Sequence, residues 1–308
     1  MTYSVLLDPE LAAAAVDLPP GNLADPAAAR ALNRERHAAR PAYPGRDRLE
    51  VTERRLDGDV PVPVRLYRPR GRDGIPAVVW LHGGAFILGD LDATDALCAR
   101  ISDEAGALVV NVDYRLAPEH PCPAGLDDSV AALDWVAAHA GDLGVDPARI
   151  AIAGASAGGC LAAGVALKAR DRGGPPLAFQ LLVYPVLDDR CATASARETV
   201  PAPVFDARSN VVMWRTYLAG RTPDAYAAPA RAEDLSGLPP AMIVVAELDP
   251  LRDEAIEYAN RLSAAGVEVI LEDVPGTFHG FDAVVPDAAV SRRVTDFYVR
   301  TLAERLAG

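Results

Sequence analysis

The sequence is poor in basic residues. Its 308 residues include 30 Lys and Arg against 43 Asp and Glu, which gives a formal net charge of −13 at pH 7. Nucleic-acid binding needs clustered cations to neutralise phosphates, and attraction to an anionic membrane surface needs basic segments. The deficit therefore argues against both partners. Acidity of this kind is typical of a solvated surface that keeps a protein in solution.

Cysteines and long apolar runs are also scarce. The four cysteines have no C-x-x-C spacing and lie far apart, at Cys98, Cys122, Cys160 and Cys191. We interpret them as reduced thiols, without a disulfide framework or a zinc site. No window approaches the roughly 18 unbroken apolar residues of a membrane span. Residues 1–20 lack the basic start and cleavage site of a signal peptide, so we expect a cytoplasmic protein.

Motifs for nucleotides and metals are missing as well. No G-x-x-x-x-G-K-[ST] or G-x-G-x-x-G pattern follows a strand-like run, and no His, Cys and carboxylate cluster has metal-ligand spacing. The carboxylate pairs Asp127-Asp128 and Asp188-Asp189 consist of adjacent residues, so their side chains diverge instead of converging on one ligand. The sequence therefore predicts neither a cofactor nor a metal.

The chain does contain a regular alternation of short apolar runs and helix-period stretches, from residue 76 to the end. This alternation is typical of parallel βαβ units in a doubly wound α/β sheet. Before it, two alternating runs flank Asp57-Gly58-Asp59 and predict an antiparallel hairpin at one edge. The strands are expected at 49–56, 60–67, 77–81, 107–112, 150–153, 179–184, 241–246 and 267–272. The helices are expected at 92–104, 125–139, 157–170, 250–265 and 287–306.

Two segments stand outside this alternation. Residues 1–45 are rich in Ala and Pro and contain one predicted helix over 25–39, with Asp25 as its N-cap. Residues 186–238 carry four prolines and one predicted helix over 208–219, but no predicted strand. We expect both segments to form a cap above the strand ends, where α/β sheets bind ligands, on a main domain formed by residues 46–308.

One turn within the alternation carries a candidate nucleophile. Gly154-Ala155-Ser156-Ala157-Gly158 fits the pattern G-x-S-x-G and lies between a strand-like run and an alanine-rich helical run. In this pattern a tight strand-to-helix turn lifts a serine hydroxyl clear of the sheet. Small residues are needed because the turn is strained and crowded. A glycine-rich turn without chemistry is the alternative interpretation.

A serine nucleophile needs a base, and the base needs an orienting acid. Of the five histidines only His279 follows Ser156, in a loop beyond a predicted strand end, where a base can project. For the acid we favour Asp249, which stands just after the strand predicted over 241–246. Glu247 and Asp253 also fit the spacing, and Asp249 could instead be a helix N-cap.

Acyl transfer further needs N–H donors for the oxyanion of the tetrahedral intermediate. One candidate is the N–H of Ala157, directly after the serine. The segment His82-Gly83-Gly84 follows the strand predicted over 77–81, and glycines there allow the backbone to turn its N–H groups toward a substrate. A plain tight turn is the alternative interpretation of this segment.

Together these pieces resemble the hormone-sensitive-lipase-like (bacterial family IV) esterases of the α/β-hydrolase fold. The similarity extends from His82 to about Phe281 and includes three further segments. They are Asp113-Tyr114-Arg115-Leu116-Ala117-Pro118-Glu119-His120, Asp249-Pro250-Leu251-Arg252-Asp253-Glu254 and His279-Gly280-Phe281. The resemblance implies that Asp249 is the acid, that Asp127-Asp128 is structural and that the two outlying segments form a cap. It also allows a homodimer.

The function that follows is a serine carboxylesterase for small esters. A compact pocket is expected because the cap has few large aromatic residues, Phe205, Trp214 and Tyr217, and this favours short acyl chains. An amidase or deacetylase with the same chemistry is one alternative. Another is a non-catalytic small-molecule receptor, although receptors of this family typically lack the histidine. The residues expected to act are Ser156, Asp249 and His279, with Gly83, Gly84 and Ala157 at the oxyanion.

Two positions depart from the family pattern. Ala85 stands where the family usually has the third glycine of His-Gly-Gly-Gly, and Ala155 stands where the elbow usually carries an aspartate. The family donors correspond to Gly83 and Gly84, so we expect the oxyanion site to survive. The space near Phe86 is expected to tighten. The alanine at 155 removes a charge beside the serine.

Overall fold

The apolar runs of the sequence form the strands of one central sheet. This computed structural model describes residues 6–16, 18, 23–38, 40–58, 60–198 and 202–307. The strands are β1 (Leu49–Leu56), β2 (Val62–Pro69), β3 (Ile75–Leu81), β4 (Leu108–Val112), β5 (Val145–Ala155), β6 (Phe179–Val183), β7 (Ala241–Ala246) and β8 (Val269–Val274). Their order across the sheet is β1-β2-β4-β3-β5-β6-β7-β8.

Only the first edge of the sheet is antiparallel. β2 pairs antiparallel with both β1 and β4, whereas every pair from β4 to β8 is parallel. Parallel strands in the interior of a sheet are covered on both faces, so they are mostly apolar. All residues of β3 and β7 are buried, while the six central residues of β1 are half-buried or exposed. The predicted α/β class and the leading hairpin are confirmed.

Helices pack on both faces of this sheet, and others lie in the two outlying segments. They are α1 (Pro9–Ala15), α2 (Pro26–Ala38), α3 (Asp95–Ala105), α4 (Ala124–Ala138), α5 (Ala157–Asp171), α6 (Ala194–Arg197), α7 (Ala207–Leu218), α8 (Arg252–Ala264), α9 (Phe281–Val284) and α10 (Ala289–Leu306). The predicted cap of α2 is present, since Asp25 Oδ1 accepts from the N–H of Ala28 at 3.1 Å. Among the described residues, no helix is long and apolar enough to cross a membrane.

The sequence missed some elements and shifted others. It predicted no helix at α1, where a run of small alanines carries a single fully buried residue, Leu11. β5 begins five residues earlier than expected, because Val145 pairs with Ile75 beyond an irregularity in the β3–β5 ladder. Of the two predicted outlying segments, residues 1–5, 17, 19–22, 39 and 199–201 lie outside the described part of the chain.

The two outlying segments both touch the carboxyl edge of the sheet. The N–H of Asp8, before α1, donates to the carbonyl of Gly276 in the loop after β8 (2.8 Å). The 186–238 insertion leaves the sheet after β6 and returns at β7, and no strand occurs within its described residues. The four cysteines are all unpaired thiols, three of them buried.

Candidate active site

Ser156 occupies a strained turn between β5 and α5. Its backbone has φ +56° and ψ −119°, a conformation that non-glycine residues rarely adopt. Backbone hydrogen bonds hold it there. The N–H of Ser156 donates to the carbonyl of Val183 (2.9 Å), and its own carbonyl accepts from Cys160 (3.1 Å) and Val186 (3.2 Å). The turn is therefore held by both the neighbouring strand and the following helix, as strain at a functional site requires.

The glycines of this turn are needed because backbone atoms lie against them. A Cβ at Gly154 would stand 2.3 Å from the carbonyl oxygen of Gly158, and a Cβ at Gly158 would stand 2.0 Å from that of Leu81. Neither backbone oxygen can move aside cheaply, since both belong to the packed strand and helix. The first turn of α5 thus lies directly against the end of β3.

His279 lies in the loop between β8 and α9, next to the serine. Its Nδ1 donates to Asp249 Oδ2 at 2.6 Å, because a carboxylate can only accept. In the neutral ring this leaves Nε2 as the acceptor, 2.8 Å from Ser156 Oγ. The hydroxyl proton of the serine therefore points at the imidazole. Only 6% of Ser156, 5% of His279 and 2% of Asp249 is exposed.

Asp249 lies just after β7, and its carboxylate accepts two hydrogen bonds. Its Oδ1 accepts from the N–H of Leu251 (2.9 Å), just before α8, while Oδ2 faces His279. The other two candidates for the acid face elsewhere. Glu247 accepts from the N–H of Gly276 (2.7 Å), and Asp253 accepts from that of Ser195 (2.9 Å). Of the three carboxylates, Asp249 alone bonds the imidazole.

Two aromatic rings contact the imidazole of His279. Tyr184, directly after β6, meets it edge-on with ring centroids 4.9 Å apart, and Phe205 from the insertion lies at 4.8 Å. The hydroxyl of Tyr184 donates to Asp282 Oδ1 (2.7 Å). Burial raises the pKa of Tyr184 far above its usual range, and burial also raises that of Asp282. The sequence pointed to neither Tyr184 nor Asp282 as part of the site.

The glycine loop after β3 lies beside the serine. A Cβ at Gly83 would stand 3.4 Å from Ser156 Cβ. Gly84 has φ +125°, and a Cβ there would stand 2.2 Å from the carbonyl oxygen of Leu88. The N–H groups of Gly83, Gly84 and Ala157 donate to no acceptor among the residues that the structure describes. The three N–H groups predicted as oxyanion donors therefore have no acceptor within the described residues.

Ala85, the first departure from the family pattern, adopts the backbone conformation of a glycine. Its φ is +57°, and that of the following Phe86 is +60°. This lies in the left-handed region, which costs other residues roughly 1–2 kcal/mol. The loop keeps its course although an alanine stands there. Ala155, the second departure, is half-buried at the end of β5.

His82 stabilises the backbone of the glycine loop. It is fully buried and stacked on Tyr114 with ring centroids 4.3 Å apart. Its Nδ1 donates to the carbonyl of Gly83 (2.8 Å), and burial lowers the pKa of the ring, which keeps it neutral. The hydroxyl of Tyr114 donates to the carbonyl of His82 (2.7 Å). His82 is therefore a support of the loop backbone.

The insertion covers the glycine loop through aromatic contacts. Phe86 stacks on Tyr217 of α7 with centroids 3.8 Å apart, and Trp214 of the same helix lies 6.0 Å from Phe86. Both α7 rings are buried, 3% and 2% exposed. The three aromatic residues of the insertion therefore lie beside the candidate site, with Phe205 against the histidine and the other two against the loop.

No group of three or more His, Cys, Asp or Glu side chains suited to a metal occurs within the described residues. The adjacent carboxylates predicted to be non-catalytic are bound to cations. Asp128 accepts from the backbone N–H and the guanidinium of Arg115, and Asp127 pairs with Lys168. Asp189 pairs with Arg231.

Comparisons with known proteins identify the family of the chain. The model of a protein family with the alpha/beta hydrolase fold matches residues 78–283. The chain therefore belongs to the α/β-hydrolase family. It is a carboxylic ester hydrolase of the branch that resembles hormone-sensitive lipase. The expectation from sequence is confirmed at this level.

Individual relatives extend over most of the chain. Carboxylesterase NlhH of Mycobacterium tuberculosis is 48% identical over 253 residues, 78% of this chain and 79% of the relative. Ethyl acetate hydrolase of Pseudomonas putida is 36% identical over 242 residues, 76% and 74% of the two chains. The solved structure of a bacterial heroin esterase superposes with a TM-score of 0.92 at 43% identity and covers 99% of both chains.

Proposed function

We propose that this α/β hydrolase is a serine carboxylesterase that cleaves small esters with short acyl chains through an acyl-enzyme. The observation that carries the proposal is the continuous hydrogen-bond chain from Ser156 Oγ to His279 and on to Asp249, at 2.8 and 2.6 Å. A serine hydroxyl is a weak nucleophile unless a positioned base accepts its proton, and here the acceptor lies at bonding distance.

In the first half-reaction Ser156 Oγ attacks the ester carbonyl carbon while His279 Nε2 accepts the hydroxyl proton. The carbonyl oxygen becomes an oxyanion, which the N–H groups of Gly83, Gly84 and Ala157 stabilise. Removing one such donor typically costs about 2.7–4 kcal/mol of barrier. The imidazolium that forms is stabilised by Asp249 through Nδ1. It then returns the proton to the leaving alkoxide, which departs as the alcohol and leaves the acyl-serine.

Water completes the cycle. His279 Nε2 takes a proton from the water molecule, the resulting hydroxide attacks the acyl carbon, and a second oxyanion forms between the same N–H groups. Its collapse breaks the bond to Ser156 Oγ, which regains the proton from the imidazolium, and the carboxylic acid leaves. The low exposure of the serine and histidine supports this sequence of steps, because electrostatic stabilisation is larger where bulk water is excluded.

The preference for short acyl chains rests on the rings above the site. Phe205, Trp214 and Tyr217 are all buried around the imidazole and the glycine loop, so we expect a compact pocket that favours short acyl chains. The relative named for ethyl acetate supports the same size class. The homodimer and the cytoplasmic location stay predictions.

The test combines labelling with a substrate series. A fluorophosphonate should label the wild-type chain at one site, and Ser156→Ala should lose both the label and at least about 10⁴-fold in kcat. With p-nitrophenyl esters, kcat/KM should be highest for acetate to butyrate and fall about tenfold or more at octanoate.

The other outcomes separate the alternatives. A chain that binds small esters but takes no label would be a receptor on this scaffold. Faster turnover of p-nitroacetanilide than of p-nitrophenyl acetate would indicate an amidase. A Ser156→Ala variant with undiminished activity would overturn the nucleophile assignment. Thermal unfolding of the variant at the wild-type temperature shows that the fold is intact.

A further inference from the structure

One guanidinium of the N-terminal arm, that of Arg30 on α2, binds the loops beside the serine. Its Nε donates to the carbonyl of Ile87 (2.7 Å), and its Nη2 donates to the carbonyl of Ala117 (2.9 Å). Nη1 and Nη2 also donate to the two carboxylate oxygens of Glu119, at 2.8 and 2.7 Å. A single side chain, 23% exposed, thus satisfies four acceptors on two separate segments.

The first of these segments is the glycine loop itself. The Ile87–Leu88 peptide, whose carbonyl accepts from Arg30, donates its N–H to the carbonyl of Gly84 (2.7 Å), so the peptide that Arg30 holds is bonded directly to a residue that carries one of the proposed oxyanion donors. The loop has three consecutive residues with positive φ, Gly84, Ala85 and Phe86, and such a backbone needs external bonds to persist. Arg30 supplies one of those bonds from outside the hydrolase domain.

The second segment is tied to the same loop. The N–H of Ala117 donates to the carbonyl of Phe86 at 2.9 Å. Arg30 therefore completes a small hydrogen-bond network. Its guanidinium donates to the carbonyls of Ile87 and Ala117, and the N–H of Ala117 donates to the carbonyl of Phe86. Only arginine has the flat, forked set of donors that can reach two carbonyls and a carboxylate together.

We propose that Arg30 is a positioning residue for the oxyanion loop: it couples the N-terminal arm to the proposed N–H donors of Gly83 and Gly84. The inference rests on the proposed function. Loss of the guanidinium frees the carbonyl of Ile87 and allows the loop to relax from its strained course. The N–H groups then lie off the position of the oxyanion, and transition-state stabilisation falls while ester binding changes little.

The experiment compares Arg30→Ala, Arg30→Lys and a matched control, Arg34→Ala. Arg34 lies one turn further along α2, is exposed and makes no hydrogen bond or ion pair among the described residues. With p-nitrophenyl acetate, Arg30→Ala should lower kcat about tenfold with KM within about twofold, less than the loss of a whole oxyanion donor. Arg30→Lys should recover part of kcat, and Arg34→Ala should match the wild type.

A second readout separates positioning from a merely structural role. Ser156 Oγ is expected to add to the carbonyl carbon of a trifluoromethyl ketone. The adduct then places an oxyanion between the same donors. Its inhibition constant should rise in Arg30→Ala by the same factor as kcat/KM falls, because transition-state analogues report transition-state binding. All assays are run at least 15 °C below the unfolding temperature of each variant.

Two results would overturn the inference. One is an Arg30→Ala variant with wild-type kcat and inhibitor affinity; the other is an equal loss in Arg34→Ala. Either would leave the proposed function intact, since that depends on labelling of the wild-type chain and on Ser156→Ala. If the fluorophosphonate did not label the wild-type chain, both the proposed function and the inference about Arg30 would fail.

Discussion

The elbow that carries Ser156 and the two outlying segments predicted to form a cap are held in different ways. At the elbow the contacts are between backbone atoms: Ser156 bonds to β6 and α5, and Gly158 lies against the end of β3. In the two outlying segments some of the contacts with the site are made by single side chains, such as Phe205 on the imidazole and Arg30 on the loop carbonyls. Backbone packing tolerates no added atom, whereas side-chain contacts can be removed singly.

This difference predicts which property of the protein a substitution in each region should change. The elbow is part of the sheet, so a change there affects the free energy of unfolding as well as activity. The segments predicted to form the cap contribute no strand to the sheet among their described residues, so a change there should alter the geometry around the substrate and leave the core in place. The two regions meet at His279, which is bonded to the serine below and contacted by Phe205 above.

The largest expected effect is at the elbow. In Gly158→Ala the new Cβ would stand 2.0 Å from the carbonyl oxygen of Leu81 and 2.5 Å from that of His82. Neither backbone can yield, so we expect a loss of about 3 kcal/mol or more in the free energy of unfolding, in the range of severe overpacking. Urea unfolding measures it.

The matched control for that variant is Gly141→Ala. A Cβ at Gly141 meets no atom within 4 Å, and its φ is not in the left-handed region. The control should unfold within about 0.5 kcal/mol of the wild type. If Gly158→Ala proved equally mild, the elbow would be less rigid than its contacts imply and the contrast with the cap would disappear.

A pH-dependent effect is expected where the insertion begins. Glu254 of α8 is 1% exposed and accepts from the N–H groups of Leu187 (2.7 Å) and Asp188 (3.2 Å). Burial raises the pKa of this carboxyl well above its usual range. The folded state therefore holds the proton more tightly than the unfolded state. The stability from this group is complete below the unfolded pKa of about 4.3 and is lost as pH rises through the folded value.

Glu254→Gln removes that titration and keeps an acceptor oxygen for the two N–H groups. The melting temperature of the variant relative to the wild type should therefore increase steadily from pH 5 to pH 9. Thermal unfolding monitored by circular dichroism at each pH measures the difference. A difference that does not change with pH would mean that this carboxyl is not protonated in the folded protein.

The smallest expected effect lies between the two regions, at Ala85→Gly. Glycine removes the cost of φ +57°, roughly 1–2 kcal/mol, but loses a buried methyl worth about 0.8 kcal/mol and gains freedom in the unfolded chain. These terms nearly cancel, so stability should change by less than about 1 kcal/mol.

The neighbouring position provides the contrast for Ala85→Gly. In Gly84→Ala the new Cβ would stand 2.2 Å from the carbonyl oxygen of Leu88, so this variant should be clearly destabilised and should lose esterase activity. Differential scanning calorimetry and kcat/KM for p-nitrophenyl acetate measure both variants. Equal behaviour of the two would mean that positive φ alone does not determine which residue the loop accepts.

Much of the sheet could be read from the sequence because its signals are local. A fully apolar run such as 241–246 forms a strand with the predicted bounds, since a strand buried on both faces has no room for polar residues. Elements with weak local patterns were shifted or missed. The polar start of β5 became a strand only through pairing with β3, and α1 is held by one buried leucine, Leu11.

The residues of the candidate site were likewise predictable from the sequence only in part. The order of the chain, with one histidine after the serine and a strand-end carboxylate between them, was enough to select the three candidates that the structure brings together. Spacing alone left Glu247 and Asp253 open, because all three carboxylates are close in sequence and only the path of the backbone decides which one faces His279. Asp249 does, while the others bond Gly276 and Ser195.

By itself, then, the sequence determined the α/β fold class, the elbow around Ser156 and the family, since apolar periodicity, glycines in a strained turn and ordered motifs are properties of neighbouring residues. Tertiary structure alone decided what surrounds the reacting groups. Tyr184 and Phe205 reach His279, and Arg30 reaches Ile87 across 57 positions. Contacts over such separations depend on how whole elements pack, and no local pattern in the chain encodes them.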